Sequence, residues 1–206
     1  YDGVMKNSAI DKIVLPSSWS RDWWISFDQM FASRAIVWDS GVAECEGRRD
    51  PNGICVVYAK NPNEKLFNKI IEILWSHKLP IVVSRYGSFK EHEYLRLLRK
   101  ARMMVYLSEA ERQGNALYQA WMSDIPTLIW NRGFIEYKGG RFESSLVGAP
   151  SLDPLCGLSF KGEEDFEQKI IELNERYNFF KPREFARAHH TDILAARRYL
   201  EIAENS

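Results

Sequence analysis

The feature that most constrains the fold is a regular alternation of short β-rich runs with longer helical stretches. Between the runs, apolar residues recur at helical spacing, as in Leu66, Ile70 and Leu74. Parallel strands need crossover connections, which helices supply, and right-handed crossovers dominate. The sequence therefore predicts an α/β protein whose Rossmann-like parallel sheet carries helices on both faces. Its main β-rich runs are residues 54–58, 80–83, 103–107 and 126–130, with 157–160 as an edge strand.

The chain also divides along its length. A weaker β-α-β pattern over residues 12–38 comes first, and a polar, Gly-containing passage from 40 to 53 separates it from the main series. Amphipathic helices follow the last strand, and apolar residues between 193 and 203 mark the final one. With 206 residues, 45% of them hydrophobic, the chain can bury one full core but hardly two large ones. A boundary is therefore expected near residue 53.

Charge and cysteine content narrow the class of protein. The 28 Lys and Arg residues balance 28 Asp and Glu residues, so no net field draws the chain to nucleic acid or to an anionic membrane. No apolar run approaches the roughly 20 residues that a transmembrane helix requires. Three cysteines without C-x-x-C spacing suit reduced thiols better than a disulfide framework. We expect a cytoplasmic protein, with peripheral association at a membrane as an alternative.

Several common catalytic motifs are missing. The sequence has no G-x-S-x-G, no Walker loop and no G-x-G-x-x-G, which argues against hydrolase, P-loop and standard dinucleotide-binding classes. No two Asp residues stand two positions apart, and His189 and His190 are neighbours without a partner four residues away. We therefore expect no metal site and no resident cofactor.

In an open α/β sheet, ligands bind beyond the carboxyl ends of the strands. The informative loop is the one that follows residue 107. It runs from Ser108 through an acidic turn containing Glu111 into a helix that starts near Gly114. Unpaired amides at such a helix start can hold a phosphate. Ser108, Glu111 and Gly114 are thus candidate site residues.

This loop resembles the retaining GT-B glycosyltransferases of the group 1, family 4-like type. Their pattern is a Ser, a Glu and then a Gly, with a second Glu eight positions after the first. Glu111 and Gly114 match that pattern, whereas Gln119 stands where the second Glu is usual. The following residues 120–129 also resemble that family, in which a helix ends just before a Pro-led strand.

The resemblance implies roles for these residues. Glu111 would face the donor sugar, Gly114 and Asn115 would hold the phosphates, and Ala116 would join them in binding the donor. Gln119 would bond the ribose hydroxyls through its neutral amide, which is a weaker acceptor than a carboxylate. Ser108 would lie against the same donor.

Two further segments carry the resemblance. Lys60 and Lys65 stand five positions apart at a helix start, as a basic pair does in the family, and would neutralise the leaving diphosphate as the glycosidic bond breaks. Arg85, Tyr86 and Gly87 lie where the family binds the nucleotide base. We therefore count Lys60, Lys65 and Glu111 as candidate catalytic residues and the others as substrate-binding.

The resemblance spans most of residues 12–202 and implies the donor-binding lobe of a two-lobed enzyme. Residues 1–52 are then a remnant of the N-terminal lobe with its linker, 53–188 the nucleotide-sugar-binding lobe, and 189–206 the crossing helix. The expected substrates are a nucleoside diphosphate sugar and a glycan or other hydroxyl acceptor, with the second lobe missing or on a partner chain. A non-catalytic binding or docking module and a nucleotide-sugar epimerase remain alternatives.

Plainer interpretations apply to the same residues. Glu111 could simply favour the helix dipole, and Lys65 could be a solvated lysine. Trp75, Trp121 and Trp130 share core-like periodicity, so we expect them to pack in the core rather than against a sugar. The joint prediction that Lys60, Glu111 and Gly114 lie at one edge of the sheet favours a functional site.

Overall fold

The structure is a computed structural model, and it describes Gly3 and residues 7–45, 47 and 49–205. Parts of the predicted N-terminal segment, namely residues 1, 2, 4–6, 46 and 48, lie outside the described residues, as does residue 206 at the end of the predicted crossing helix. The division into residues 1–52, 53–188 and 189–206 stays a prediction.

A small parallel pair opens the described chain. Strand β1 (Ile13–Leu15) pairs in parallel with β2 (Ala35–Val37), and helix α1 (Ser18–Phe27) connects them. The side chain of Ser17 accepts a hydrogen bond from the Ser20 amide and so caps the start of α1. This is the β-α-β opening that the sequence predicts.

The main sheet has five parallel strands, which are β3 (Ile54–Lys60), β4 (Ile81–Arg85), β5 (Ala101–Ser108), β6 (Thr127–Trp130) and β9 (Gly157–Phe160). They lie in the order β4-β3-β5-β6-β9. This sheet confirms the predicted α/β fold, with the strand at 157–160 at one edge.

Helices connect the strands and cover both faces of the sheet. Alternate residues of β3 point to opposite sides, so Val56 and Tyr58 belong to one apolar cluster and Cys55 and Val57 to the other. The helices after α1 are α2 (Glu64–Ser76), α3 (Glu91–Leu98), α4 (Asn115–Met122), α5 (Glu163–Glu175), α6 (Pro182–His189) and α7 (Asp192–Glu204). Of these, α3, α4 and α6 pack on the first face, and α2 and α5 pack on the second.

The two ends of the described chain meet. The indole N–H of Trp38, just after β2, donates to the Ala195 carbonyl oxygen at 2.8 Å, and the Trp38 and Tyr199 ring centroids lie 5.6 Å apart. Val42 also forms a parallel bridge with Thr191. The final helix α7 is thereby held against the segment that precedes the main sheet.

Two features differ from the sequence predictions. Trp121 and Trp130 are buried as expected, but Trp75 is 66% exposed, because the buried face of α2 ends at Leu74 and the next side chain turns about 100° away from the core. An antiparallel hairpin, β7 (Phe134–Tyr137) with β8 (Gly140–Glu143), was also not predicted. Its strands are half exposed and short, so their alternation is weak.

Candidate functional site

Lys60 and Glu111 meet at the carboxyl edge of the main sheet. Lys60 is the last residue of β3, and Glu111 lies in the turn after the neighbouring strand β5, where Ser108 pairs in register with Lys60. The Lys60 ammonium nitrogen lies 3.1 Å from Oε1 and 2.9 Å from Oε2 of Glu111. Two residues that are 51 positions apart in the chain thus form a direct ion pair at the predicted edge.

The Glu111 carboxylate is held by further donors. The Tyr106 hydroxyl donates to Oε2, and the Gln113 and Gly114 amides donate to Oε1 at 3.2 and 3.0 Å. We call Lys60, Tyr106 and Glu111 the rim cluster. The Glu111 carboxylate therefore already binds the amide of Gly114, which is one of the groups predicted to bind phosphate.

The backbone of Glu111 is fixed as well. Its amide donates to the Val147 carbonyl at 2.8 Å, and its carbonyl accepts the Trp19 indole N–H at 3.0 Å. Trp19 belongs to α1, so the segment before the main sheet helps to place the candidate catalytic carboxylate. Glu111 is only 3% exposed, so its polar atoms are satisfied by protein groups rather than by water. Its position therefore depends on these hydrogen bonds.

The electrostatics keep this carboxylate ionised. Burial alone raises the pKa of Glu111, but the Lys60 charge, hydrogen bonds from Tyr106 and Lys60, and the Gln113 amide together hold it below its ordinary value. Burial, the Glu111 charge and its hydrogen bond raise the pKa of Tyr106 well above 10, so this phenol remains a donor. At neutral pH Glu111 can accept hydrogen bonds from hydroxyl groups or stabilise positive charge, but it holds no proton to give as a general acid.

The start of α4 adds open amides to the rim cluster. Gly114 has a φ of +83°, a left-handed conformation that favours glycine, and it caps the helix. Within the part of the chain that the structure describes, the backbone N–H groups of Asn115 and Ala116 donate no hydrogen bond. The Asn115 side chain accepts from the Ser40 hydroxyl at 2.6 Å, and the Ala116 carbonyl accepts from Tyr94 at 2.8 Å. Two N–H groups beside Lys60 and Glu111 are thus available to an anion.

The predicted base-binding loop lies beside the rim cluster. The Lys60 ammonium lies 5.1 Å from the centroid of the Tyr86 ring, and Tyr86 is 63% exposed. Arg85 pairs with Glu64 at 3.0 Å on the surface and stacks over Phe67, and Gly87 forms an exposed turn at a φ of +80°. Tyr86 is therefore the residue of this loop that contacts the cluster.

The remaining candidates have different surroundings. Lys65 is exposed on the first turn of α2, and among the described residues no ion pair or hydrogen bond joins its side chain to the rim cluster. Ser108 is 3% exposed, and the Gln119 side chain donates to Glu91 at 2.6 Å. The structure thus brings Lys60 and Glu111 into contact and leaves Lys65 outside that contact.

Two residues of the site were missed by sequence reasoning. Tyr106 lies two residues before the end of β5, on the same face as Tyr58, whose ring stacks on it at 5.0 Å. Its place near the carboxyl end of a predicted strand was a usable signal. Trp19 had none, because its contact with Glu111 spans 92 positions.

Neither metal chemistry nor a membrane span is indicated by the described residues. They contain no group of three or more His, Cys, Asp and Glu side chains able to hold a metal ion. None of their helices has the length and apolarity needed to cross a bilayer. The expectation that no metal or cofactor is required stays a prediction, as does the cellular compartment.

Comparison with solved structures gives the clearest similarity. No protein-family model matches the sequence, and no curated protein matches it. Sucrose-phosphate synthase of Thermosynechococcus elongatus matches with a TM-score of 0.70 at 11% identity, over 98% of this chain and 59% of that one. A TarM mutant of S. aureus, crystallised with fondaparinux, α-GlcNAc-glycerol and UDP, matches with a TM-score of 0.67 at 14% identity, over 94% of this chain and 44% of that one.

The fold is that of the GT-B glycosyltransferases. A GtfA/B complex supports the same conclusion with a TM-score of 0.61 at 13% identity, over 94% of this chain and 45% of that one. The GT-B resemblance is thereby confirmed at the level of fold. The chain spans about half the length of these structures, and the roles of its site residues stay predictions.

Proposed function

We propose that this GT-B chain binds a nucleoside diphosphate sugar at the rim cluster and takes part in transferring the sugar to a hydroxyl acceptor. The observation that carries the proposal is the Lys60–Glu111 pair at the carboxyl edge of the sheet, beside the open amides of Asn115 and Ala116. A cation and free helix-start amides suit a diphosphate, and an ionised carboxylate suits the hydroxyl groups of a sugar.

Lys60 supplies the charge in this mechanism. Its side chain is 27% exposed, whereas Glu111 is nearly closed off, so the ammonium is the member of the pair that an incoming phosphate can reach. Negative charge on the diphosphate grows as the glycosidic bond breaks, and a fixed cation stabilises that state more than the ground state. Lys60 with the Asn115 and Ala116 amides would thus assist departure of the nucleotide.

Glu111 orients the sugar and stabilises positive charge on it. The surrounding donors keep its carboxylate in one place and ionised, so it needs no rearrangement when charge develops on the sugar ring. Retention at the anomeric carbon and a second lobe that carries the acceptor belong to this proposal. They are supported by the resemblance of residues 108–129 to retaining enzymes and by the length of the GT-B structures that the chain matches.

Calorimetry tests the binding step. UDP-, GDP- and ADP-glucose are titrated into the parent chain, into Lys60→Met and into Lys69→Met, an exposed lysine on α2 that serves as the matched control. We expect heat with at least one donor, an affinity at least about tenfold lower in Lys60→Met, and no change in Lys69→Met. Absence of heat with all three donors contradicts the proposal.

A second variant guards against a folding defect. Lys60→Met leaves Glu111 without its cation, whereas the double variant Lys60→Met with Glu111→Gln removes both charges of the buried pair. If the double variant is folded and binds the donor as tightly as the parent, Lys60 does not bind the diphosphate.

Turnover is followed as release of the free nucleoside diphosphate once the second lobe is supplied, and binding without any release contradicts the transferase assignment.

A further inference from the structure

An open basin lies at the base of the β7–β8 hairpin, next to the carboxyl ends of β6 and β9. Its volume is about 570 Å³, which is within the range of ligand-binding clefts. Strands β6 and β9 pair in parallel up to Trp130 and Phe160, where the basin begins. We call this cavity the hairpin basin. The charged residues that line it are Arg132, Arg141, Glu143 and Lys161.

Asn131 fixes the floor of the hairpin basin. Its side-chain oxygen accepts the amides of Gly133 and Gly148 at 3.0 and 3.2 Å, and its side-chain nitrogen donates to the Ser145 carbonyl at 2.7 Å. These bonds join the residues that enter the hairpin to those that leave it. The protein itself therefore holds the basin in shape, and a ligand does not have to order it.

Positive charge is concentrated in this basin. The whole chain is balanced, with 28 basic and 28 acidic residues, whereas three cations line the basin together with a single carboxylate, that of Glu143. Arg141 pairs with Glu143 at 3.1 Å, but the two side chains are 53% and 72% exposed, so solvent screens their attraction. The local excess of positive charge attracts an anion.

Phe134 brings two of these cations together. The guanidinium carbons of Arg132 and Arg141 lie 4.3 and 3.7 Å from the centroid of its ring. The two carbons are thus within about 8 Å of each other, which is the Debye length at physiological ionic strength, so their charges repel. Stacking on the ring also restricts both guanidinium groups. An anion that bridges them relieves the repulsion and finds its donors already oriented.

Several donors of the hairpin basin are unused. Within the described part of the chain, the Lys161 ammonium and the hydroxyl groups of Ser145 and Ser159 form no hydrogen bond or ion pair. The Arg132 guanidinium donates only to the exposed Glu109 carboxylate, at 3.5 Å. Cations and hydroxyl groups that approach from several sides suit a tetrahedral anion, whose outer oxygens accept hydrogen bonds in different directions. A planar carboxylate matches such a set less well.

We propose that the hairpin basin binds a phosphate or sulfate group carried by the acceptor glycan. The inference rests on the proposed function, because that function makes the ligand an acceptor. It adds the chemical class of that acceptor, a glycan with tetrahedral anionic groups, and the place where it binds. Arg132, Arg141 and Lys161 select charged acceptors over neutral ones.

The position of the basin suits an acceptor. It lies at the ends of β6 and β9, whereas the rim cluster lies at the ends of β3 and β5, so a nucleoside diphosphate at Lys60 leaves the basin free. A smaller cleft of about 330 Å³ adjoins the basin, and Arg132 lines both cavities. Ala110 and Arg112, the chain neighbours of Glu111, also line this cleft. A glycan anchored in the basin can therefore reach the turn that carries Glu111.

A purely structural role of the cations is the competing interpretation. Arg132 and Arg141 contact Phe134 and so help to hold the hairpin in place. Lys161 separates the two interpretations, since its side chain has no bond to the hairpin among the described residues. Lys161→Gln removes a charge from the basin without removing a contact that stabilises the fold.

Calorimetry with short dextran oligomers tests the inference. Phosphorylated, sulfated and unmodified oligomers are titrated into the parent chain, into Arg132→Gln combined with Arg141→Gln, and into Lys161→Gln. Lys60→Met, which alters the rim cluster, and Arg96→Gln are the controls. Arg96 is an exposed arginine of α3, which follows the strand at the opposite edge of the sheet. UDP, GDP and ADP are titrated into the same proteins.

We expect the parent to bind a charged oligomer at least about tenfold more tightly than the unmodified one, since hydrogen bonds to charged groups contribute that much. The double arginine variant should lose most of this preference, and Lys161→Gln should lose about threefold in affinity for the charged oligomer, because Lys161 is exposed. Nucleotide affinity should be unchanged in both. Lys60→Met should show the reverse pattern, and Arg96→Gln should behave as the parent.

Three outcomes overturn the inference. They are a parent chain that does not prefer either charged oligomer, a preference that survives in both Lys161→Gln and the double arginine variant, and a preference that disappears in Lys60→Met. The last would place the anion at the rim cluster. Each of these spares nucleotide binding and so the proposed function. If charged oligomers bind in the basin but no nucleotide binds to the parent, the proposed function fails and the anionic glycan is not an acceptor.

Discussion

Two polar clusters adjoin helix α4, and they differ in the parts of the chain that they join. The rim cluster of Lys60, Tyr106 and Glu111 contains two full charges and opens to solvent at Lys60, which is 27% exposed. The second, which we call the linker cluster, is built from four residues that hydrogen bonds and close contacts join into a ring. Its members are Asp39, Tyr118, Ser151 and His190.

The linker cluster ties distant parts of the chain together. Tyr118 donates to Asp39 at 2.9 Å, Ser151 bonds both Tyr118 and His190, and the His190 Nδ1 atom lies 3.2 Å from Asp39. His190 is 2% exposed and stacks on Tyr118 at 3.9 Å. These residues come from the segment after β2, helix α4, the loop before β9 and the end of α6. Such a cluster stabilises the fold, whereas the rim cluster presents a partly exposed ammonium group that a ligand can reach.

The largest effect on stability is expected in the linker cluster. His190→Ala removes a buried stacked ring and leaves Asp39 and Ser151 with fewer partners, which should lower the free energy of unfolding by about 3 kcal/mol. Urea denaturation measures the loss. Nucleotide affinity, measured where the variant is folded, should match the parent. His190→Gln, which retains a hydrogen-bonding side chain, should lose less, and a loss of nucleotide binding in that folded variant would break the proposed difference between the clusters.

A smaller loss is expected in the rim cluster. Lys60→Met leaves the Glu111 carboxylate buried with only Tyr106 and two amides as donors. Breaking a fully buried pair costs about 3–5 kcal/mol, and the exposed side of Lys60 reduces this to about 2 kcal/mol. Adding Glu111→Gln removes the stranded charge and should restore at least half of the loss in urea denaturation. No recovery in the double variant would show that the two residues are not energetically coupled.

Acidification should reveal how much the ionised Glu111 carboxylate of the rim cluster contributes to stability. Since the folded-state pKa of Glu111 is lowered, its contribution to stability is present above the ordinary value of 4.5 and is lost as the pH falls through the lower folded-state value. The free energy of unfolding of the parent should therefore fall more steeply below pH 4.5 than that of Glu111→Gln. Urea denaturation at several pH values compares the two slopes. Equal slopes would mean that Glu111 is not held in its ionised form by the rim cluster.

Much of the fold follows from local pattern. Apart from the hairpin of β7 and β8, the strands and helices of residues 54–204 are predicted by hydrophobic period because each buries one face or both, and their bounds differ from the observed ones by only a few residues. The meeting of Lys60 and Glu111 is also predictable, because parallel strands bring their carboxyl ends to one edge of a sheet. No knowledge of side-chain contacts is required for that step.

Other contacts had no local signal. The Trp19–Glu111 bond and the linker cluster depend on how segments far apart in sequence pack together, and period alone does not encode this. Trp75 shows the opposite error, since its position near the apolar face of α2 suggested burial whereas the helix turns it toward solvent. The Glu91–Gln119 pair required the structure as well, because nothing in the sequence relates the start of α3 to the second turn of α4.

The smallest effect is expected at an ion pair of the same sheet edge that belongs to neither cluster. Arg85 and Glu64 lie 3.0 Å apart, but their side chains are 47% and 62% exposed, so solvent and salt screen their attraction. Arg85→Ala should leave the urea midpoint unchanged within error, although the pair is as short as Lys60–Glu111. A clear loss would mean that burial does not distinguish the rim cluster from an ordinary surface pair. An unchanged midpoint together with weaker nucleotide binding would instead support the predicted contact of Arg85 with the base, because that contact exists only in the complex.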